Sequence, residues 1–119
     1  MKRPTVISDP LSKWDIVVVP FPHGDRLAEK RRPALIISKP WIAEDYGLLW
    51  VAMITSLEND SWNCDIEIKT TGVTGLSAPS VIRPVKIATI EAGRVLRKIG
   101  HLAPRERRLV TSAFAKIMG

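Results

Sequence analysis

A chain of 119 residues has room for one folded core, and 18 Lys and Arg against 12 Asp and Glu leave it with a formal charge of +6. No apolar run approaches the roughly 20 residues that span a bilayer, and Thr5-Val6-Ile7 is too short for the apolar stretch of a secretory signal. A cytoplasmic protein is therefore expected, and the lone Cys64 excludes an internal disulfide framework.

Residues 1–13, with Pro4 and Pro10, read as an extended arm, and 14–119 as the domain proper. Asp15-Ile16-Val17-Val18-Val19 predicts a strand stopped by Pro20-Phe21-Pro22. Its apolar residues run on without alternating, which implies burial on both faces. A polar loop from His23 to Arg32 gathers Arg26, Lys30, Arg31 and Arg32. Pro33 then opens a second buried strand, Ala34-Leu35-Ile36-Ile37-Ser38. Residues 39–47 read as a connection with room for one helical turn. Leu48 to Thr55 form a third strand, with Leu49, Val51, Met53 and Thr55 on one face and Trp50, Ala52 and Ile54 on the other.

After the turn residues Glu58-Asn59-Asp60-Ser61, a half-exposed strand is expected where Cys64, Ile66 and Ile68 alternate with Asp65, Glu67 and Lys69. Cys64 would lie on its apolar face as a small hydrophobe. Ser80 to Arg83 and Arg94 to Gly100 complete the strands, with a loop over 70–79. From Pro104 to Met118 the period becomes helical, with Leu109, Val110, Ala113, Phe114 and Ile117 on one side. The pattern predicts a mainly β domain, a small barrel of about five to seven strands closed by a C-terminal helix.

Two histidines and one cysteine give no metal-binding spacing, and neither a phosphate-binding loop nor a dinucleotide fingerprint is present, so no cofactor is expected. What remains is basic and hydroxylic. Arg83 interrupts the apolar run Val81-Ile82-Arg83-Pro84-Val85, so it must reach solvent, a carboxylate or a ligand. Pro84 beside it argues for an edge or a bulge. Thr55 brings a hydroxyl to the lip of its strand. The plainer readings stand beside these: Thr55 as an ordinary strand residue, Arg83 paired at the surface with Glu67 or Glu91, and the positive charge serving solubility. From the residues alone, this is a basic β domain suited to phosphates.

The order of segments resembles the MazF/PemK toxin family. Asp15-Ile16-Val17 is followed by the polar loop and Arg31-Arg32-Pro33-Ala34-Leu35-Ile36-Ile37-Ser38, then by Met53-Ile54-Thr55-Ser56. Gly75-Leu76, Ser80-Val81-Ile82-Arg83, Ile87-Ala88-Thr89-Ile90 and Lys98-Ile99-Gly100-His101-Leu102 continue the likeness, which covers residues 15 to 118. The resemblance implies an SH3-like barrel acting as a homodimer, and a metal-independent cut of single-stranded RNA in which a ribose 2′-OH attacks the adjacent phosphate. It also implies an acidic, partly disordered antitoxin that occludes the site.

On that resemblance Arg32 transfers a proton and stabilises charge, Thr55 orients the phosphate, and Arg83 stabilises charge or serves as the acid. His23, Arg26, Lys30, Arg31, Ser56 and Lys86 are the implied RNA contacts. The chain departs from the family pattern at three places. Val85 stands where an acidic residue is usual, Trp14 replaces the glycine before Asp15, and Arg26-Leu27-Ala28-Glu29 replaces the loop glycines. The competing readings are a barrel that binds nucleic acid or protein without chemistry, or a CcdB-type gyrase poison. The gyrase poison is expected to end in a Trp-containing C-terminus, whereas this chain ends Lys116-Ile117-Met118-Gly119.

Overall fold

The structure is a computed structural model that describes residues 10–21 and 30–119. The arm before residue 10 and the loop carrying His23 and Arg26 lie outside the described residues.

Six strands form one antiparallel sheet. They are β1 (Asp15–Phe21), β2 (Lys30–Ile36), β3 (Leu48–Ser56), β4 (Ile66–Glu67), β5 (Ser80–Glu91) and β6 (Arg97–His101), with spatial order β4-β5-β3-β2-β1-β6. Among the described residues two α-helices, α1 (Pro40–Tyr46) and α2 (Pro104–Met118), and a short 3₁₀ helix at Ala92–Arg94 complete the fold. The sheet curls into a half-barrel with α2 at its end, in keeping with the small β barrel and terminal helix expected from the sequence.

Each face of β1 joins a core cluster, which explains its unbroken apolar run. Val17, Val19 and Phe21 join Ala34, Ile36, Val51 and Met53 in one cluster, against which Ala43 of α1 packs. Ile16 joins Leu35, Ala52, Ile54 and Ile82 in the other, closed by Leu102, Val110 and Phe114 at the C-terminal end. Leu109 and Ile117, expected on the buried side of α2, are instead exposed at its flank.

Three strands differ from expectation. β2 begins at Lys30 rather than after Pro33. β3 pairs with it only from Ala34 onward, so Pro33, opposite Val18, has a neighbour on one side only and its missing donor is tolerated. β5 runs through Pro84 instead of stopping at Arg83. Its register jumps from Met53↔Arg83 to Ala52↔Ile87, so Pro84, Val85 and Lys86 bulge out with no counterpart on β3. β4 is only two residues long, and Cys64 lies before it, half-buried in a turn.

The short β4 traces to Glu106. This fully buried residue of the first turn of α2 accepts the Lys69 and Thr70 amides at 3.0 and 3.2 Å and an Arg105 guanidinium hydrogen at 2.7 Å, all on Oε2. The amides that would have extended the strand are thus bonded to the helix. Burial pushes the Glu106 carboxyl up, but the bonds from Lys69, Arg105 and Thr70 outweigh it and hold the group below the ordinary glutamate value. Glu106→Ala would orphan both amides, an expected loss of about 2–3 kcal/mol. An unchanged midpoint in chemical denaturation would refute this anchoring role.

Trp14 carries a φ of 80°, left-handed backbone in which a side chain is strained by roughly 1–2 kcal/mol. It does so while bonding on both sides, N–H to Ile36 O at 2.8 Å and carbonyl to the Leu102 amide at 2.8 Å. The departure from the family's glycine is therefore one of side chain, with the glycine-like backbone retained. Gly100 on β6 admits the 72–76 loop. A Cβ there would meet Val73 and Thr74 backbone at 2.4 Å, and the neighbouring His101 amide donates to Val73 O at 2.9 Å.

Candidate active site

The register places Thr55 opposite Val81 and Met53 opposite Arg83, so Thr55 and Arg83 share one face of the β3–β5 pair. Beyond the end of β3 a cleft of about 350 Å³ opens, lined by Arg31, Arg32, Thr55, Ser56, Asn59 and Ser80 among others. Strand pairing β2–β3 brings the first two to the last strand residues, although they lie more than 20 positions apart in sequence. Arg31 is exposed, Arg32 half-buried, and Thr55, which lines the cleft, is 4% exposed.

Of the residues expected to touch RNA, Arg31 and Ser56 join Arg32 and Thr55 in the cleft. Lys86 lies on the β5 bulge, half-buried. Lys30 is the first residue of β2, while His23 and Arg26 fall outside the described residues.

Arg83 is the surprise. Its side chain is buried, with Nε donating to Asp65 Oδ1 at 3.0 Å and Nη2 to Asp65 Oδ2 at 2.9 Å. Nη2 also donates to Asp60 O at 2.6 Å, and the guanidinium lies 4.0 Å from the centre of the Trp62 ring. The expected surface partner, Glu67 or Glu91, is thus replaced by a buried Asp65. Alternation had put Asp65 on a strand, but residues 62–65 form a turn closed by Asp65 N–H to Trp62 O at 3.0 Å and Trp62 N–H to Asp65 Oδ2 at 2.9 Å.

The Arg83 bond holds the Asp65 carboxyl below its ordinary value despite burial, and Asp65 in turn raises the guanidinium above its own. Such a pair carries no net charge.

The sequence reading missed Asn59, taken there as turn chemistry. It lines the cleft and donates from Nδ2 to Thr55 Oγ1 at 2.6 Å. Its spacing of four from Thr55, immediately after a strand end, was the one available signal. Among the described residues no three His, Cys, Asp or Glu side chains converge on a metal position, and no helix is long and apolar enough to cross a membrane.

This fold occurs in known proteins. MazF from Deinococcus radiodurans superposes with a TM-score of 0.75 at 16% identity, covering 94% of this chain and 99% of that one. The Mycobacterium tuberculosis toxin MazF-mt6 gives 0.68 at 24% identity over 86% and 93%. An endoribonuclease from a mycobacterial species, solved with its cognate antitoxin, gives 0.72 at 13% identity over 93% and 95%. No curated protein matches the sequence. Residues 12–118 match the family described as the PemK-like, MazF-like toxins of type II toxin-antitoxin systems, and the chain belongs to that family.

Proposed function

We propose that this protein is the toxin of a type II toxin-antitoxin pair and cuts single-stranded RNA at selected sequences in the cytoplasm, without a metal. The observation that carries the reading is the cleft that joins Arg32 to Thr55, a guanidinium and a hydroxyl on adjacent strands. In the step proposed, the ribose 2′-oxygen bonds to phosphorus and the bond from phosphorus to the 5′-oxygen breaks. The proton lost by the 2′-OH is balanced by the one gained at the 5′-oxygen. No water or electron enters, and the products are a 2′,3′-cyclic phosphate and a 5′-hydroxyl.

Arg32 offers planar N–H donors to the phosphorane oxygens and is the proton-transfer group, its guanidinium giving a proton to the departing 5′-oxygen and regaining one from the 2′-OH, while Thr55 orients the phosphate. Arg31 and Ser56 hold the flanking backbone, with Lys30, Lys86, His23 and Arg26 as further RNA contacts. Arg83 is assigned a supporting place. A guanidinium whose proton Asp65 secures is a poor acid, so the acid role is not carried forward for it.

Two further parts of the reading rest on family membership and the surface. Trp50 and Ile87 lie diagonally on one sheet face, 47% and 48% exposed, an apolar area suited to a second copy in a homodimer. The charge of +6 suits an acidic antitoxin segment that folds across the cleft. Purified protein incubated with single-stranded RNA in EDTA should yield the cyclic-phosphate and 5′-hydroxyl ends. A strict need for added Mg²⁺ or Mn²⁺ would overturn the mechanism, and bound but uncut RNA would favour a barrel that binds without chemistry.

A further inference from the structure

We infer that Asn59 is a positioning residue of the cleft, fixing the Thr55 hydroxyl as a hydrogen-bond donor toward phosphate. The inference rests on the RNA-cutting reading above. A threonine hydroxyl can donate one hydrogen and accept two, and by itself does not distinguish an anion from a donor. Here the Asn59 amide, 2.6 Å away, already fills an acceptor site on Oγ1. The hydroxyl keeps its own hydrogen, and the cleft that both residues line is where that hydrogen can meet an anionic oxygen.

The loop that presents Asn59 is tied at both ends. At its start, Leu57 N–H donates to Pro79 O at 3.0 Å, Asn59 N–H to Ser56 O at 3.1 Å, and Glu58 N–H to Ser56 Oγ at 3.2 Å. One residue beyond Asn59, the Asp60 carbonyl accepts Arg83 Nη2, and Trp62 and Asp65 complete the grip. Arg83 therefore reaches the cleft through the backbone of this loop. Asn59 itself is exposed, so its side chain is held there without contributing to the core.

The test is a double-mutant cycle on the full-length protein, with Asn59→Ala and Thr55→Val singly and together. Cleavage of a single-stranded RNA oligonucleotide gives kcat and KM. Affinity is measured separately with the same oligonucleotide carrying 2′-deoxyribose, which cannot react. Asn59→Ala should lower kcat about tenfold and weaken affinity for the deoxy oligonucleotide severalfold. Asn59→Asp, which can only accept from Thr55 and so turns its hydrogen inward, should lower kcat about a hundredfold. In the Thr55→Val background Asn59→Ala should change nothing further.

Equal losses with and without the threonine would overturn the inference, as would wild-type rates for both Asn59 variants. If the wild-type protein leaves RNA intact, the cutting reading alone falls. The positioning claim is then decided by affinity for the deoxy oligonucleotide, which Asn59→Ala must weaken severalfold with Thr55 present and not at all without it.

Discussion

Arg83→Ala is expected to lower the melting temperature by roughly 10–20 °C. Removing one partner of a buried ion pair leaves the other charge without compensation, at a cost of about 3–5 kcal/mol. In a domain of this size each kcal/mol moves the transition by roughly 3–5 °C. The Asp65 side chain is 6% exposed and takes two hydrogen bonds from Arg83, so it fits that case rather than that of a surface pair worth about 0–1 kcal/mol. Lysine in place of Arg83 keeps the charge but loses the fork and the guanidinium contact with the Trp62 ring, and should recover only part of the loss.

The pH dependence follows from the same pair. The Asp65 pKa is lower folded than unfolded, so its contribution is complete above the unfolded value near 4 and is lost as pH falls through the folded value. Wild-type stability should therefore drop on acidification below about pH 4, and the Asp65→Asn variant should lose much of that dependence. A melting temperature for Arg83→Ala within 2–3 °C of wild type would refute the buried-pair account.

Arg32→Ala should reduce kcat by about two to three orders of magnitude, comparable to deleting one preorganised donor from an oxyanion site. Arg32 is half-buried at the cleft rim and its strand neighbour Arg31 is exposed, so electrostatic attraction of RNA should survive in part. Binding of uncleavable RNA is therefore expected to weaken far less than the rate falls. Thr55→Val, nearly isosteric and well suited to a strand, should act in the same direction with the fold intact. Should Arg32→Ala cut RNA at the wild-type rate, the cleft would not be the reacting centre, however tightly it bound.

Much of the architecture was legible because burial leaves a direct imprint on sequence. β1, β3 and α2 follow from unbroken or periodic apolar residues, and their bounds fall within a residue or two of those read. Of the strands misjudged, β4 is the one tied to a distant polar residue. Glu106, which takes the amides of Lys69 and Thr70, lies 37 and 36 positions from them, and no local pattern announces it. Arg83 shows the same division. Its need for a partner was plain from its apolar flanks, yet the choice of Asp65 depended on a turn at 62–65 that alternation concealed. Arg32 and Thr55 came from family resemblance, and strand pairing brings them to one cleft, whereas Asn59 needed the three-dimensional path of the loop.

Gly100 and the 72–76 loop bear on a problem that every open sheet faces. An exposed edge is a row of unpaired amides and carbonyls, ready to recruit a strand from another molecule. At the β6 edge the His101 amide is taken by Val73 O, because a glycine lets the loop lie flat against the strand. At the opposite edge β4 offers only two residues before the chain turns toward α2. The loop thus takes up one amide of the β6 edge, and the two-residue β4 is too short to template a long partner strand, so each offers less of the pairing that would seed aggregation.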